Sequence, residues 1–415
     1  MAPDTHQAID AVWRIEQAKL IAGLARIVRD VGIAEELAQD ALVAALKVWP
    51  AQGIPDNPAA WLMATAKNRA LDTRRRAKLI ERKHEELGHE MDAEHTPDLD
   101  AALDDDIGDD LLRLIFTACH PVLSAEARVA LTLRLIGGLT TEEIARAFLV
   151  AEPTIAQRIV RAKRTLTEAR VPFEVPRGAD RAERLASVLE VIYLIFNEGY
   201  AATSGADWVR PALCEEALRL GRILAGLAPE EGEVHGLVAL MEIQASRLKA
   251  RVGPKGEPIL LLDQNRARWD QLLIRRGLAA LARAEALGTP GPYALQAAIA
   301  ACHARARVAD DTDWRRIIAL YEQLANITPS PVVELNLAVA VAMAYGPQAG
   351  LERVDALAAE PTLKNYHLLP SVRGDFLKKL GRLAEARIEF ERAAGMTQNA
   401  RERALLLERA AATVS

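Results

Sequence analysis

Apolar residues in this chain recur at three- and four-residue intervals, and hardly anywhere at every second position. Ala and Leu dominate the periodic segments, β-branched runs are short, and no hairpin turn joins two alternating segments. The pattern predicts an all-α chain. Its 415 residues suffice for two to four domains with real cores. A hydrophobic content of 50% excludes a disordered or collagen-like chain. Cys119, Cys214 and Cys302 lie far apart, without CxxC or metal-ligand spacing, which fits a reducing compartment. The opening MAPDTHQAIDAVW has neither a basic leader nor an apolar run. No stretch approaches the ~18 apolar residues of a membrane span. A cytoplasmic protein without membrane contact is expected.

Charge is distributed unevenly. The net charge of -5 argues by itself against a nucleic-acid partner. Yet Lys67 to Lys83 carries eight basic residues against two acidic ones. Glu85 to Asp110 then holds twelve acidic residues and no Lys or Arg, and Arg146 to Arg170 returns to six basic against two acidic. Residues 171–415 carry 30 of each sign. Two basic islands joined by an acidic bridge are the feature to explain.

The chain divides at the acidic stretch, at the two prolines of Val171–Gly178 and near Gly288–Pro292. The expected units are 8–84, an acidic linker over 85–106, 107–170, a helical extension over 179–287 and helical repeats over 292–415. In the last unit Gly346 and Gly381 read as turns between paired helices. The small or apolar knobs Ile317, Leu351 and Ala386 follow at spacings of 34 and 35 residues, the period of tetratricopeptide repeats. Gly374, Leu377, Phe390 and Ala393 fill the remaining slots of the final pair, and Pro329 marks an earlier one. A generic array of helical hairpins is the alternative; both are solenoids.

Within the first basic island, residues 33–49 read as an amphipathic helix. Leu37, Ala41, Ala44 and Val48 share one face, with Glu36, Gln39, Asp40 and Lys47 off it. A second helical tract follows over 58–78, in which Trp61, Leu62, Thr65 and Ala66 are expected to pack inward. Asn68, Arg69, Asp72, Arg75 and Arg76 present groups that hydrogen-bond phosphates and base edges.

The second island, 138–166, opens with Thr140 or Thr141 as a helix cap followed by Glu142 and Glu143. A short turn over 149–152 leads to a helix opened by Pro153. Ile155, Ile159, Ala162 and Leu166 share its apolar face; Thr154, Gln157, Arg158, Arg161 and Arg164 share the other. A DNA-reading helix-turn-helix requires this division.

The run EELAQDALVAALKVW followed by AWLxxxAKNRALDTRRR resembles region 2 of sigma-70 factors of the extracytoplasmic-function (ECF) subgroup, and GLTTEEIARAF with the helix after it resembles region 4. The resemblance implies that Glu36, Gln39 and Asp40 contact the β′ clamp of core RNA polymerase. It places Trp61, Asn68, Asp72, Arg74 and Arg75, with Arg69 and Arg76, on the surface that opens and reads the promoter −10 element. Thr154, Gln157, Arg158, Arg161 and Arg164 would read the −35 element, with the β flap as a further contact. Departures are Ala44 and Leu46, where the subgroup carries an arginine and an aromatic, and Leu149, Ala151 and Pro153, where it carries glycine, serine and glycine.

Residues 181–197 form a strongly apolar helix through Leu185, Val188, Leu189, Ile192 and Phe196, with Gly199 as its expected stop. Glu198 beside it is expected to serve a structural turn. NEGY (197–200) and the 251–270 loop look specific to sigma factors with such an extension. No catalytic residue, metal ligand or cofactor is expected; His84, His89 and His95 lack the register for a metal site. The reading is an alternative sigma factor whose C-terminal extension is a fused regulator with a possible protein partner. The rivals are a helix-turn-helix regulator that works without core polymerase, an interaction scaffold, and an enzyme hidden in 180–290.

Overall fold

The computed structural model describes residues 2–69 and 107–413. Asp72, Arg74, Arg75, Arg76, the acidic bridge, His84, His89 and His95 lie outside the described residues. Among the described residues the fold is all-α apart from one pair of two-residue strands. It forms two compact units, Met1–Val191 and Ile192–Ser415.

In the first unit, α1 (Ala2–Val28) packs on α2 (Val31–Gln52) and α4 (Ile107–Ala118), burying Leu20, Ile21, Leu24 and Ala25. Asp30 starts α2 by accepting the Ile33 amide at 2.9 Å. The buried line of α2 is Ala34, Leu37, Ala38, Ala41, Ala45 and Trp49, so Ala44 and Val48 lie at its margin. Asn57 caps α3, a helix described over 58–69, through the Ala60 amide at 3.0 Å. Leu62 and Ala66 of α3 are buried, and Trp61 meets Trp49 edge-on at 5.3 Å. These contacts make Trp61 part of the packing, half-buried rather than free for a base.

Three short helices follow: α5 (Ala125–Leu135), α6 (Thr141–Phe148) and α7 (Glu152–Glu168). The apolar helix α8 (Ala179–Tyr200) then begins in the first unit. Its early residues satisfy carbonyls at the C-terminal end of α4. Arg184 donates to the Phe116 carbonyl at 2.9 Å and Ser187 to the Cys119 carbonyl at 2.6 Å. Arg128 of α5 pairs with Glu190 at 3.0 Å.

Gly199 does not stop α8, which runs on to Tyr200. A Cβ there would lie 2.7 Å from the Cys214 amide nitrogen, so this glycine permits close approach of α9 (Pro211–Leu227). Glu198 pairs with Arg210 and accepts from the Thr203 hydroxyl at 2.9 Å, which fixes the loop after the helix.

In the second unit α10 (Gly232–Ala245) is apolar on nearly every side and is enclosed by α9, α11 (Gln271–Ala286) and α12 (Pro292–Arg305). Glu233 anchors α12 by accepting the amides of Gly291, Tyr293 and Ala294 at 3.1, 2.8 and 3.1 Å. Helices α13 (Trp314–Ile327), α14 (Pro331–Tyr345), α15 (Pro347–Ala356), α16 (Leu368–Lys379), α17 (Leu383–Met396) and α18 (Ala400–Ala411) pack successively on their neighbours. Gly346 and Gly381 make the α14–α15 and α16–α17 turns with φ of 101° and 76°. Ile317, Leu351 and Ala386 are all buried.

The array closes on itself. Strand β1 (Ser204–Gly205) pairs in parallel with β2 (Gln398–Asn399). Asn399, 1% exposed, donates to the carbonyls of Ala202 and Asp207 at 3.0 and 2.8 Å, while its own oxygen caps α18. Asn399→Ala strands two acceptors and removes the cap, so we expect it to destabilise the second unit by about 2–4 kcal/mol. Urea unfolding followed by a probe in the second unit measures this; an unchanged midpoint would show that the seam carries no stability.

Candidate nucleic-acid interface

The interface is built on α6 and α7. Thr140 caps α6 by accepting the Glu143 amide at 3.1 Å, and the Glu143 carboxylate returns to the Thr140 amide at 2.8 Å. This reciprocal pair fixes where α6 begins. At its other end Leu149 adopts left-handed φ and ψ of 53° and 41°. The turn thus forms without the glycine that would adopt it freely. Ala151 then precedes α7 with no side chain to cap it, and the helix begins at Glu152, one residue before Pro153.

Along α7, Ile155, Ile159, Ala162 and Leu166 are buried. Thr154, Gln157, Arg161 and Arg164 are exposed and Arg158 is half-buried, all on the opposite side. Thr154, Gln157, Arg158 and Arg161 line a groove of about 430 Å³ together with Ser124 and Glu126 at the start of α5. The Glu126 carboxyl is held below its usual range by its own backbone amide and the Ser124 hydroxyl, and the positive fields of Arg158 and Arg128 add to this. Arg164 lies 3.4 Å from Glu168 in an exposed pair. The groove therefore offers hydroxyl, amide and guanidinium donors, the groups that engage phosphates and base edges.

The basic residues of this segment have divided roles. Lys163 turns inward to the carboxylate of Glu35 on α2, which Arg134 of α5 also reaches at 2.7 Å. Glu35 is 2% exposed and accepts further from Gln39 at 2.8 Å. Thr167 of α7 donates to Asp30 at 2.8 Å, and Gln17 of α1 to the Arg134 carbonyl at 3.1 Å. Sequence reading passed over Glu35. Its signal was its register, four residues after Val31 and three before Ala38, both buried.

Of the α2 residues singled out, Glu36 and Asp40 are exposed and Gln39 is half-buried. On α3 Asn68 is exposed, and Arg69 lies 3.1 Å from Asp40. Asp40 and Arg69 were expected to face different partners; the structure brings them together. Among the thiols, burial pushes Cys119 up to about 11 and Cys214 up to about 12, so neither is a thiolate at neutral pH. No helix among the described residues is long and apolar enough to cross a membrane.

Comparison with known proteins assigns these segments. Residues 14–80 match Sigma-70 region 2 and residues 113–166 match Sigma-70, region 4. Residues 184–285 match a family of unknown function, DUF6596. The chain is 43% identical over 399 residues to an uncharacterized protein of Rhizobium meliloti (strain 1021), covering 96% of this chain and 94% of that one. It is 29% identical over 226 residues to the "Probable ECF RNA polymerase sigma factor SigI" of Mycobacterium tuberculosis (strain H37Rv), covering 50% of this chain and 77% of that one. No solved structure matches.

Leu149 is 53% exposed, so replacing it loses little burial while relieving the left-handed backbone. Leu149→Gly combined with Ala151→Ser should stabilise the α6–α7 pair by about 2 kcal/mol, roughly half from the turn and half from the new cap. Native-state hydrogen exchange of α7 amides in the full chain should slow about tenfold or more. Unchanged protection would mean that the turn does not limit opening of this motif.

Proposed function

We propose that the chain is an alternative sigma factor of the sigma-70 family, directing core RNA polymerase to a specific set of promoters. The observation that carries this reading is the opposition on α7 of a buried Ile155/Ile159/Ala162/Leu166 stripe to an outward Thr154/Gln157/Arg158/Arg161/Arg164 stripe. In this proposal the outward stripe reads the −35 element in the major groove. Asn68, Arg69, Asp72, Arg74, Arg75 and Arg76 form the −10 surface, and Glu36, Gln39 and Asp40 meet the β′ clamp. The α2–α3 segment favours this over a regulator that works without polymerase, which has no need of it. The chain carries out no catalysis of its own and works in the cytoplasm.

The segment from α8 onward acts in this proposal as a fused regulator of tetratricopeptide type, with a protein partner. Paired helices, turn glycines at Gly346 and Gly381 and knobs at Ile317, Leu351 and Ala386 support that reading.

Arg158→Ala and Arg161→Ala should each weaken promoter binding by about 1–3 kcal/mol if they contact bases, and less if they touch only phosphate. Promoter-specific transcription unchanged in both variants would remove α7 from the reading role. Glu36→Lys should abolish co-purification with core polymerase while leaving the helical circular dichroism unchanged; Asp40 is the poorer target because its change also breaks the Arg69 pair. Wild-type affinity of Glu36→Lys for core enzyme would favour the polymerase-independent regulator. A truncated chain ending at Arg170 loses Arg184, Ser187 and Glu190, which hold α4 and α5. Its transcription should fall below that of the full chain, and activity at or above the full-length rate would make the extension a pure brake.

A further inference from the structure

Around the loop that follows α8, the second unit buries positive charge without matching negative charge. Arg247 and Arg251 are 7% and 8% exposed, and Arg266 lies half-buried with them. The Arg251 guanidinium is 3.7 Å from the ring centre of Tyr200 and 5.4 Å from that of Trp208. Arg247 and Arg266 share the Trp269 ring, at 5.3 and 4.8 Å. The side-chain hydrogen bonds of these three arginines go to neutral acceptors. Arg247 donates to the amide oxygens of Gln244 and Gln264 at 3.0 and 3.2 Å, and Arg251 to the Tyr200 carbonyl at 3.0 Å. Arg266 donates to the carbonyls of His303 and Ala306 and to the Thr312 hydroxyl.

Among the described residues none of the three guanidinium groups hydrogen-bonds to a carboxylate. Burial disfavours the charged form of Arg247, and the positive fields of Arg251 and Arg266 add to this while Tyr200 opposes it. Asp311 acts on Arg266, and Glu198 is committed to Arg210. His303 is pushed down to about 4 by burial and by Arg247 and Arg266, so it is neutral at pH 7 and adds no charge. Aromatic faces and neutral oxygens recover only part of the hydration that a guanidinium loses on burial. Three donors in the same patch also lack an acceptor: Arg251 Nε, Trp208 Nε1 and Trp269 Nε1, all buried. Buried N–H groups in native proteins nearly always have a partner, and several orphans beside uncompensated cations point to an anionic one.

We infer that this patch is an oxyanion site, in which the carboxylate or phosphate group of a small molecule accepts from Arg251 and Trp208 within the field of Arg247 and Arg266. Its position suits a sensor. The loop that Arg251 grips at Tyr200 is held further along by Asn399, at Ala202 and Asp207, so the site borders the seam that closes the second unit. This gives the extension a ligand class, deepening the regulatory role proposed above. It is tested by binding alone, so failure of the sigma-factor reading would leave it standing and its own failure would leave that reading intact.

The test is isothermal titration of the full chain with inorganic phosphate and, separately, with succinate, at constant chloride. Saturable binding at one site per chain is expected in at least one arm; the phosphate arm alone marks a phosphate-bearing ligand and the succinate arm alone a carboxylate. Trp208→Phe keeps the ring and removes the N–H, and should weaken binding about tenfold; Arg251→Gln should abolish it. Arg382→Gln, at an exposed residue paired with Glu385, should bind as wild type. No binding of either anion, or undiminished binding by Trp208→Phe, overturns the site. Should Arg251→Gln fail to fold, the Trp208→Phe result decides by itself.

Discussion

The first unit depends on one buried carboxylate. Glu35 lies beneath the surface of α2, where an unpaired charge would be prohibitively costly. Arg134 from α5, Lys163 from α7 and Gln39 from its own helix converge on it. The arrangement contributes specificity as much as stability, because only one rotation of α7 brings Lys163 to Glu35. That rotation leaves Arg161 and Arg164 in water and Arg158 at the groove beside Glu126. The side chains assigned to DNA are thereby aimed by an ion cluster on the far side of their own helix.

Much of this was legible because helical amphipathicity is a local property. The stripe Ile155, Ile159, Ala162 and Leu166 was readable from spacing, and so was a threonine cap at 140 or 141, which the structure assigns to Thr140. What escaped depends on partners remote in sequence. Glu35 and Lys163 meet only when α2 and α7 are brought together, and the Asp40–Arg69 pair likewise joins residues of two helices. Gly199 read as a helix stop because glycine serves that role so often, whereas here it admits the backbone of α9. The turn at Leu149 is the converse case: local propensity argues against it, and the packing of the two flanking helices overrides that propensity.

In the second unit Ile317, Leu351 and Ala386, picked out by their spacing of 34 and 35 residues, are all buried. Spacing says nothing about whether a stack of helix pairs has free ends. The pairing of Ser204–Gly205 with Gln398–Asn399 arises between segments with no sequence relation to the repeat. The buried arginines around Tyr200 and Trp269 were equally opaque, because each reads as an ordinary surface charge until the aromatic faces are placed against it.

The seam has a consequence for how the protein is made. The hydrogen bond from Asn399 to the Ala202 carbonyl spans 197 residues. At synthesis rates of about 5–20 residues per second, roughly 10–40 s separate the emergence of its two sides from the ribosome. Throughout that interval the residues of the first unit have been synthesised, while the 200–208 loop lacks the partner that closes over it. Every newly made chain thus passes through a period with its N-terminal half available to fold and its C-terminal half still without the pairing that closes it.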